Sequence, residues 1–454
     1  MLSQRWKVSG GEVREITRLG LPVMLAQMAS TSMTLVDTIM VGRLGNEQLA
    51  AAALGNTMFS PLMITSMGLL AATSPMISQA FGGSDHRAVG HAVRQGFVVA
   101  GALALLSIVF LLNAPLFLAA IGQDPDTVAR SGAYLGFLCW AAPAFLGFSV
   151  LRNLVEGVSS PRLVTLVTLI GVAINVVGNW ILMYGKLGAP ALGLRGCGLA
   201  TVIAYWAMLF MLSGIVLWAP RFREFEIFLL RDNLDFSYLK ELLRIGWPIA
   251  TSQGLEVGLF SATALLMGLL GVEELAAHLI AIQCAAFTFM IALGLATATS
   301  VRVGQNVGGG RLEEAHKAAW SGIALAIAFM SLPAFVFVFF PHRLTALFLD
   351  LRIAVNGPVV ALATQLLLLA AAFQIFDGVQ VVAMGGLRGF RDTRQPMWLA
   401  LISYWAFGLP TGIILAFPMG WGATGLWAGL VMGLVVASIL LVARLKGRSK
   451  QITD

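Results

Sequence analysis

Three carboxyl groups stand where carboxyl groups are costly. Asp37, Glu256 and Asp377 each lie well inside a long apolar run, whereas the rest of the chain's 22 acidic residues fall in polar stretches or at the ends of apolar ones. An ionised Asp at the middle of a bilayer costs about 2.5–3.5 kcal/mol, so intramembrane acids usually mark ion or substrate pathways. A carboxyl held there can switch between protonated and ionised forms near neutral pH. It can then trade a proton, or a sodium ion, for a cationic molecule. The plainer alternative for each is a protonated, hydrogen-bonded packing role.

Other polar groups accompany them. The segment "AINVVGNWILMYG" carries Asn175 and Asn179 four residues apart, on one face of a helix. Their amide oxygens are neutral, hard ligands, and helix–helix hydrogen bonding is the competing use. In "GCGLAT", Cys197 and Thr201 also share a face; the competing role for Thr201 is a bond to its own helix carbonyl. Pro22 and Pro248 each remove a backbone hydrogen bond and predict a kink, static or hinged, in the helix that carries them. Met24, Met28, Met33 and Met40 could line an adaptable cavity or serve as ordinary core.

The elements that hold these residues are membrane spans. The 454-residue chain is 58% hydrophobic and 11% charged, against about 25% charged in an average soluble protein. A spanning helix needs about 20 mostly apolar residues. Twelve segments qualify: 17–42, 49–80, 91–117, 128–153, 163–184, 196–218, 243–270, 276–306, 318–340, 355–386, 395–416 and 422–443. The predicted fold is all-helical and integral to the membrane. Of the 29 Lys and Arg, all but Arg43, Arg130, Lys186, Arg195, Arg343 and Arg352 fall at the termini and in even-numbered loops, Arg5, Lys7, Arg231 and Lys450 among them. The positive-inside rule then places both termini in the cytoplasm. The polar stretch 219–240 follows span six and reads as a cytoplasmic linker between an N-terminal lobe, 1–218, and a C-terminal lobe, 241–454.

The lobes are related. An offset of 226 residues pairs Glu15 with Glu241, Arg18 with Arg244, Gly20 with Gly246, Pro22 with Pro248 and Gln27 with Gln253. It still holds at Gly45 with Gly271, Glu47 with Glu273, Ser74 with Ser300 and Gln79 with Gln305. Six spans per lobe give both the same orientation, a parallel repeat with a central cleft whose opening could alternate by rocking. The acids break the repeat: Asp37 pairs with Thr263 and Glu256 with Ser30. Distinct sites in the two lobes are therefore expected, rather than one symmetric site.

Several chemistries are excluded. There is no GxxxxGK[ST] phosphate loop for an ATP-driven pump, no HExxH, and the five His do not cluster. No nucleophile–base constellation can be drawn, so the chain reads as a carrier and not an enzyme, with no cofactor. Cys139, Cys197 and Cys284 lie in apolar runs without metal-ligand spacing. The formal charge of +7 is spread over loops and termini, which argues against a nucleic-acid partner. The polar N-terminus is too long for a secretory signal, so the first apolar segment is expected to stay.

The twelve spans in two halves, "VDTIMVGRLG" around Asp37, "LEVGLF" around Glu256 and "IFDGVQVVAMGGLRGFRDTRQPM" around Asp377 resemble the multidrug and toxic compound extrusion (MATE) family, of its NorM type. "GNEQLAAAALGN" and "EELAAHLIAIQ" fit as well, and the resemblance covers about residues 10–445. It implies export of amphipathic organic cations in exchange for Na+ or H+, by a monomer in a bacterial inner membrane. It implies an N-lobe cation site at Asp37, Asn175, Asn179 and Thr201, with the Cys197 carbonyl as a further ligand. Sodium would bind at the first four. It implies a C-lobe site at Glu256 and Asp377, with Phe373 and Gln283 as contacts, and a hinge role for Pro22 and Pro248. Two departures stand out: Phe373 replaces a Tyr found in some members, and Leu279 replaces a Gln found in many. A lipid-linked precursor flippase of the same superfamily is the runner-up, but its phosphates would call for basic residues in the spans. A channel or receptor is the remaining alternative.

Overall fold

A computed structural model describes residues 8–227, 236–349, 353 and 356–451. Arg5, Lys7, Arg231 and Arg352 of the charge pattern and the middle of the 219–240 linker lie outside the described residues, as does the Lys450 side chain. Every regular element among the described residues is helical.

In chain order the helices are α1 (Gly10–Gly42), α2 (Asn46–Leu70), α3 (Thr73–Gly82), α4 (His86–Ala120), α5 (Pro125–Leu138), α6 (Ala141–Gly157), α7 (Pro161–Tyr184), α8 (Leu194–Trp218) and α9 (Pro220–Arg223). They continue as α10 (Phe236–Leu270), α11 (Val272–Gly308), α12 (Leu312–Phe339), α13 (Pro341–Thr345), α14 (Gly357–Gly389) and α15 (Arg394–Leu401). A π-helical segment, Ile402–Gly408, leads into α16 (Leu409–Ala416), and α17 (Gly422–Gln451) closes the chain. Among the described residues, eleven spans are long and apolar enough to cross a bilayer, counting α2 with α3 and α15 with α16; α5 and α6 make a twelfth, bent by 45°. These are the twelve segments expected from the sequence.

The bend has a local cause. Pro143 lacks the N–H that would have closed a turn onto the Cys139 carbonyl. The indole of Trp206 donates to the Trp140 carbonyl at 3.1 Å and satisfies a group at the break. The start of α5 carries a side-chain cap. Asp124 accepts from the backbone N–H and the hydroxyl of Thr127 at 2.9 and 2.8 Å, and these bonds hold its carboxyl below the usual range.

The chain forms two compact units. One is Leu25–Ala250; the other combines the chain up to Met24 with the chain from Thr251 onward. The boundaries fall inside α1 and α10, two residues beyond Pro22 and Pro248, and are 226 residues apart, like the sequence repeat. The linear division at 219–240 thus differs from the compact units, and packing supplies the reason. Early α1 lies on α11: Glu12 pairs with Arg302 at 2.7 Å, and a Cβ on Gly294 would stand 2.4 Å from Met24. In the other unit, Tyr238 of early α10 stacks on His91 of α4 at 5.2 Å, and Gly246 lies close to the Leu69 carbonyl.

Within Leu25–Ala250, small residues let α7 and α8 approach. A Cβ on Gly171 would stand 2.4 Å from Met208, and one on Gly178 would stand 3.1 Å from Ala200. Gly171, Asn175 and Gly178 follow helical spacing, so the face that brings the helices together also carries the Asn pair. Large apolar side chains such as Leu105, Leu106, Phe110 and Leu116 of α4 point outward, as lipid-facing residues do.

Candidate cation sites in the two units

Asp37 sits on α1 beyond Pro22, and α7 and α8 close around it. Asn179 Nδ2 donates to Asp37 Oδ1 at 2.5 Å. Thr201 Oγ1 lies 3.3 Å from Asp37 Oδ2 and 3.0 Å from the Cys197 carbonyl, so its one proton can go to either acceptor. Asn175 Nδ2 donates to Thr201 Oγ1 at 3.3 Å, and Asn179 Nδ2 also approaches Asn175 Oδ1 at 3.3 Å. Both Asn side chains are fully buried. Tyr184 ties the assembly down by donating its hydroxyl to the Met40 carbonyl at 2.8 Å. All five N-lobe candidates are therefore neighbours.

One polar atom here has no partner among the described residues: Asn179 Oδ1 is buried and accepts no hydrogen bond from them. Buried acceptors are usually satisfied. This one lies on the residue whose amide nitrogen holds the Asp37 carboxyl; the other candidate ligands are the oxygens of Asp37, Asn175 and Thr201 and the Cys197 carbonyl. The set is all oxygen and carries one negative charge when Asp37 is ionised. That chemistry suits a small hard cation. It suits a proton equally. Protonated Asp37 can donate from Oδ2 to Thr201, whose own hydrogen then turns to Cys197.

The second group lies in the unit that contains Thr251 onward. Asp377 of α14 is buried and accepts from Gln380 Nε2 at 3.2 Å; Gln380 Oε1 in turn accepts from the Tyr404 hydroxyl at 2.9 Å. Glu256 of α10 interacts electrostatically with Asp377 and with Arg388, three turns along α14 from Asp377. Arg388 Nε is buried without a hydrogen-bond acceptor, and Nη2 points at Met384 sulfur at 3.3 Å. Phe373 is buried, with the rings of Phe260 and Trp427 at 6.1 and 5.6 Å, so both neighbours already crowd the ring offered as a cation contact. Gln283 is exposed on α11, and no hydrogen bond joins it to either acid among the described residues. Leu279 is exposed as well, while His278 beside it is buried and accepts from the Trp427 indole at 3.2 Å.

Sequence reasoning missed Gln380, Tyr404 and Arg388. The first two are neutral polar residues in apolar spans, where packing is the default reading. Arg388 lies just past the apolar segment 355–386 and reads in the sequence as a cytoplasmic loop charge. Gln380 follows Asp377 by three residues, and that spacing was the available signal.

The family model MatE matches residues 22–181 and 248–414, one stretch in each half. The chain belongs to the MatE family. A probable multidrug resistance protein NorM of Mesorhizobium japonicum is 40% identical over 435 residues, covering 95% of this chain and 93% of that one. A multidrug resistance protein MdtK of Edwardsiella ictaluri is 36% identical, covering 97% and 96%. Among solved structures, an outward-facing multidrug resistance MATE family transporter of the MOP superfamily matches with a TM-score of 0.89 at 21% identity, over 99% of this chain and all of the other. At that identity the likeness speaks for the MATE fold alone. The matched stretches begin at Pro22 and Pro248, the residues next to the two unit boundaries.

Proposed function

We propose that this MATE-family chain is a secondary active multidrug efflux transporter that exports amphipathic organic cations in exchange for Na+ or H+ by alternating access. The reading rests on the Asp37 site above all. A carboxyl in an apolar span has one oxygen held by Asn179 and the other beside a Thr201 hydroxyl that can donate or accept. Such a shell accommodates loss and gain of a cation without dismantling its hydrogen bonds. The names of the NorM and MdtK relatives support multidrug cargo.

Coupling needs each ligand to favour a different state of the protein. Coupling ion and cargo therefore compete for carboxylate charge, and each stabilises a different facing. Pro22 and Pro248 mark where α1 and α10 pass from one compact unit to the other. Flexure there changes the surroundings of Asp37 and Glu256 further along the same helices. The protein lies in the bacterial inner membrane with both termini in the cytoplasm, and works as a monomer.

The flippase reading needs basic residues to receive phosphates. Arg388 is present near the end of α14, where it interacts electrostatically with Glu256. A channel is separated from a carrier by uphill movement of cargo. The direct test of the site is efflux by Asp37→Asn, Glu256→Gln and Asp377→Asn proteins in vesicles. Each is expected to transport less, and normal transport by all three would remove the assignment.

A further inference from the structure

The π-helical segment Ile402–Gly408 interrupts the span formed by α15 and α16. π-helical turns are rare and are found frequently at functional sites. Consecutive residues of this one reach two different helices. Tyr404, 1% exposed, donates its hydroxyl to Gln380 Oε1 on α14 at 2.9 Å, and Gln380 Nε2 donates to Asp377 Oδ1. Trp405 donates its indole N–H to the Leu255 carbonyl on α10 at 3.2 Å, next to Glu256. A Cβ on Gly258, one turn on, would stand 3.1 Å from the same indole ring.

The segment is held firmly from behind. A Cβ on Gly429 of α17 would stand 2.3 Å from the Gly412 Cα, and one on Gly408 would stand 3.1 Å from the Gly433 Cα. Glycines at four-residue spacing on both helices allow backbone contact there. Ser403 closes onto the Leu399 carbonyl at 2.7 Å.

We infer that Tyr404 and Trp405 are positioning residues for the two C-lobe carboxyls, acting through Gln380 on Asp377 and through the α10 backbone on Glu256. This rests on the reading of Asp377 and Glu256 as an ion or cargo site. Gln380 can present either its nitrogen or its oxygen to Asp377. A Tyr404 hydroxyl donating to Oε1 turns the nitrogen toward the carboxylate, the orientation that favours ionised Asp377. With a protonated Asp377 the amide can turn over, because the Tyr404 oxygen can accept from Nε2. Tyr404 thus supports both states and sets the balance between them. Among the described residues, the charged groups that act electrostatically on Tyr404 besides Asp377 are Glu256 from α10 and Arg388 from α14.

The test compares coupling-ion dependence of cargo efflux in proteoliposomes. Tyr404→Phe keeps the ring and removes only the hydroxyl. The ion concentration for half-maximal efflux is expected to shift by about three- to tenfold, the worth of one hydrogen bond between neutral groups, with a thermal midpoint close to the parent's. Tyr404→Phe combined with Gln380→Leu should shift no further than Gln380→Leu alone, because both act on one chain. Trp405→Phe, which loses the indole N–H, should shift half-saturation by a smaller factor. Half-saturation unchanged in Tyr404→Phe, or additive effects of Tyr404→Phe and Gln380→Leu, overturns the inference. Asp377→Asn is run beside them. If it transports normally, the C-lobe site itself has failed and this inference with it. If it is inactive while Tyr404→Phe matches the parent, only the positioning role has failed.

Discussion

Asn179 donates to Asp37 Oδ1 at 2.5 Å while its own carbonyl oxygen stays buried and unpartnered. One side chain thereby holds the carboxyl and keeps a neutral oxygen available beside it. Asn179→Leu keeps a similar volume and removes both functions. The expected result is loss of coupling: the ion concentration for half-maximal efflux moves by at least about tenfold, as for a hydrogen bond to a charge. An Asn179→Leu protein with parental ion dependence would show that the amide is only packing.

The Glu12–Arg302 pair joins early α1 to α11 through two bonds at 2.7 and 3.0 Å, and Asn306 adds a third at 3.2 Å. Glu12 is buried, and removing one partner of a buried pair costs about 3–5 kcal/mol. Glu12→Ala should lower the thermal midpoint in detergent by several degrees, and adding Arg302→Ala should restore part of the loss. A Glu12→Ala midpoint equal to the parent's would refute the anchoring role.

Pro22 and Pro248 each precede a unit boundary by two residues. Ala at either position restores a helical N–H and stiffens the passage, against a proline cost of about 3 kcal/mol in a helix interior. Efflux should fall several-fold in each single variant and further in the double, while cargo affinity at equilibrium changes little. Undiminished efflux in Pro22→Ala/Pro248→Ala would exclude a hinge.

Two separate acid sites leave room for two coupling ions per cargo. One monovalent ion in for one monovalent cation out moves no net charge. Two ions in for one out would move one charge, worth about 2.3 kcal/mol per 100 mV, or roughly fifty-fold in cargo gradient. Clamping the potential with potassium and valinomycin separates the two. A cargo gradient that grows with inside-negative potential indicates two ions; an indifferent one indicates exchange of one for one.

The spans were legible because a bilayer demands about 20 apolar residues per helix, and little else in a sequence produces that pattern. The break in the fourth span was not predicted, although Pro143 was its visible cause. The convergence of Asp37, Asn175, Asn179 and Thr201 followed from helical spacing and family resemblance together. Gln380 and Tyr404 stayed hidden because a buried neutral side chain looks the same in sequence whether it packs or positions. The π-helical turn leaves no periodic trace. Nor does a continuous helix such as α1 reveal that its first part packs with the other end of the chain; the partner of Glu12 is 290 residues away.

An ion gradient is expected to drive cargo uphill through this chain. The most direct measurement reconstitutes the purified protein in vesicles, imposes a pH gradient or a sodium gradient, and follows ethidium or a fluoroquinolone. One of the gradients should drive accumulation against the cargo's own gradient, and collapsing it with an ionophore should abolish the effect. Drug movement indifferent to both gradients would contradict it.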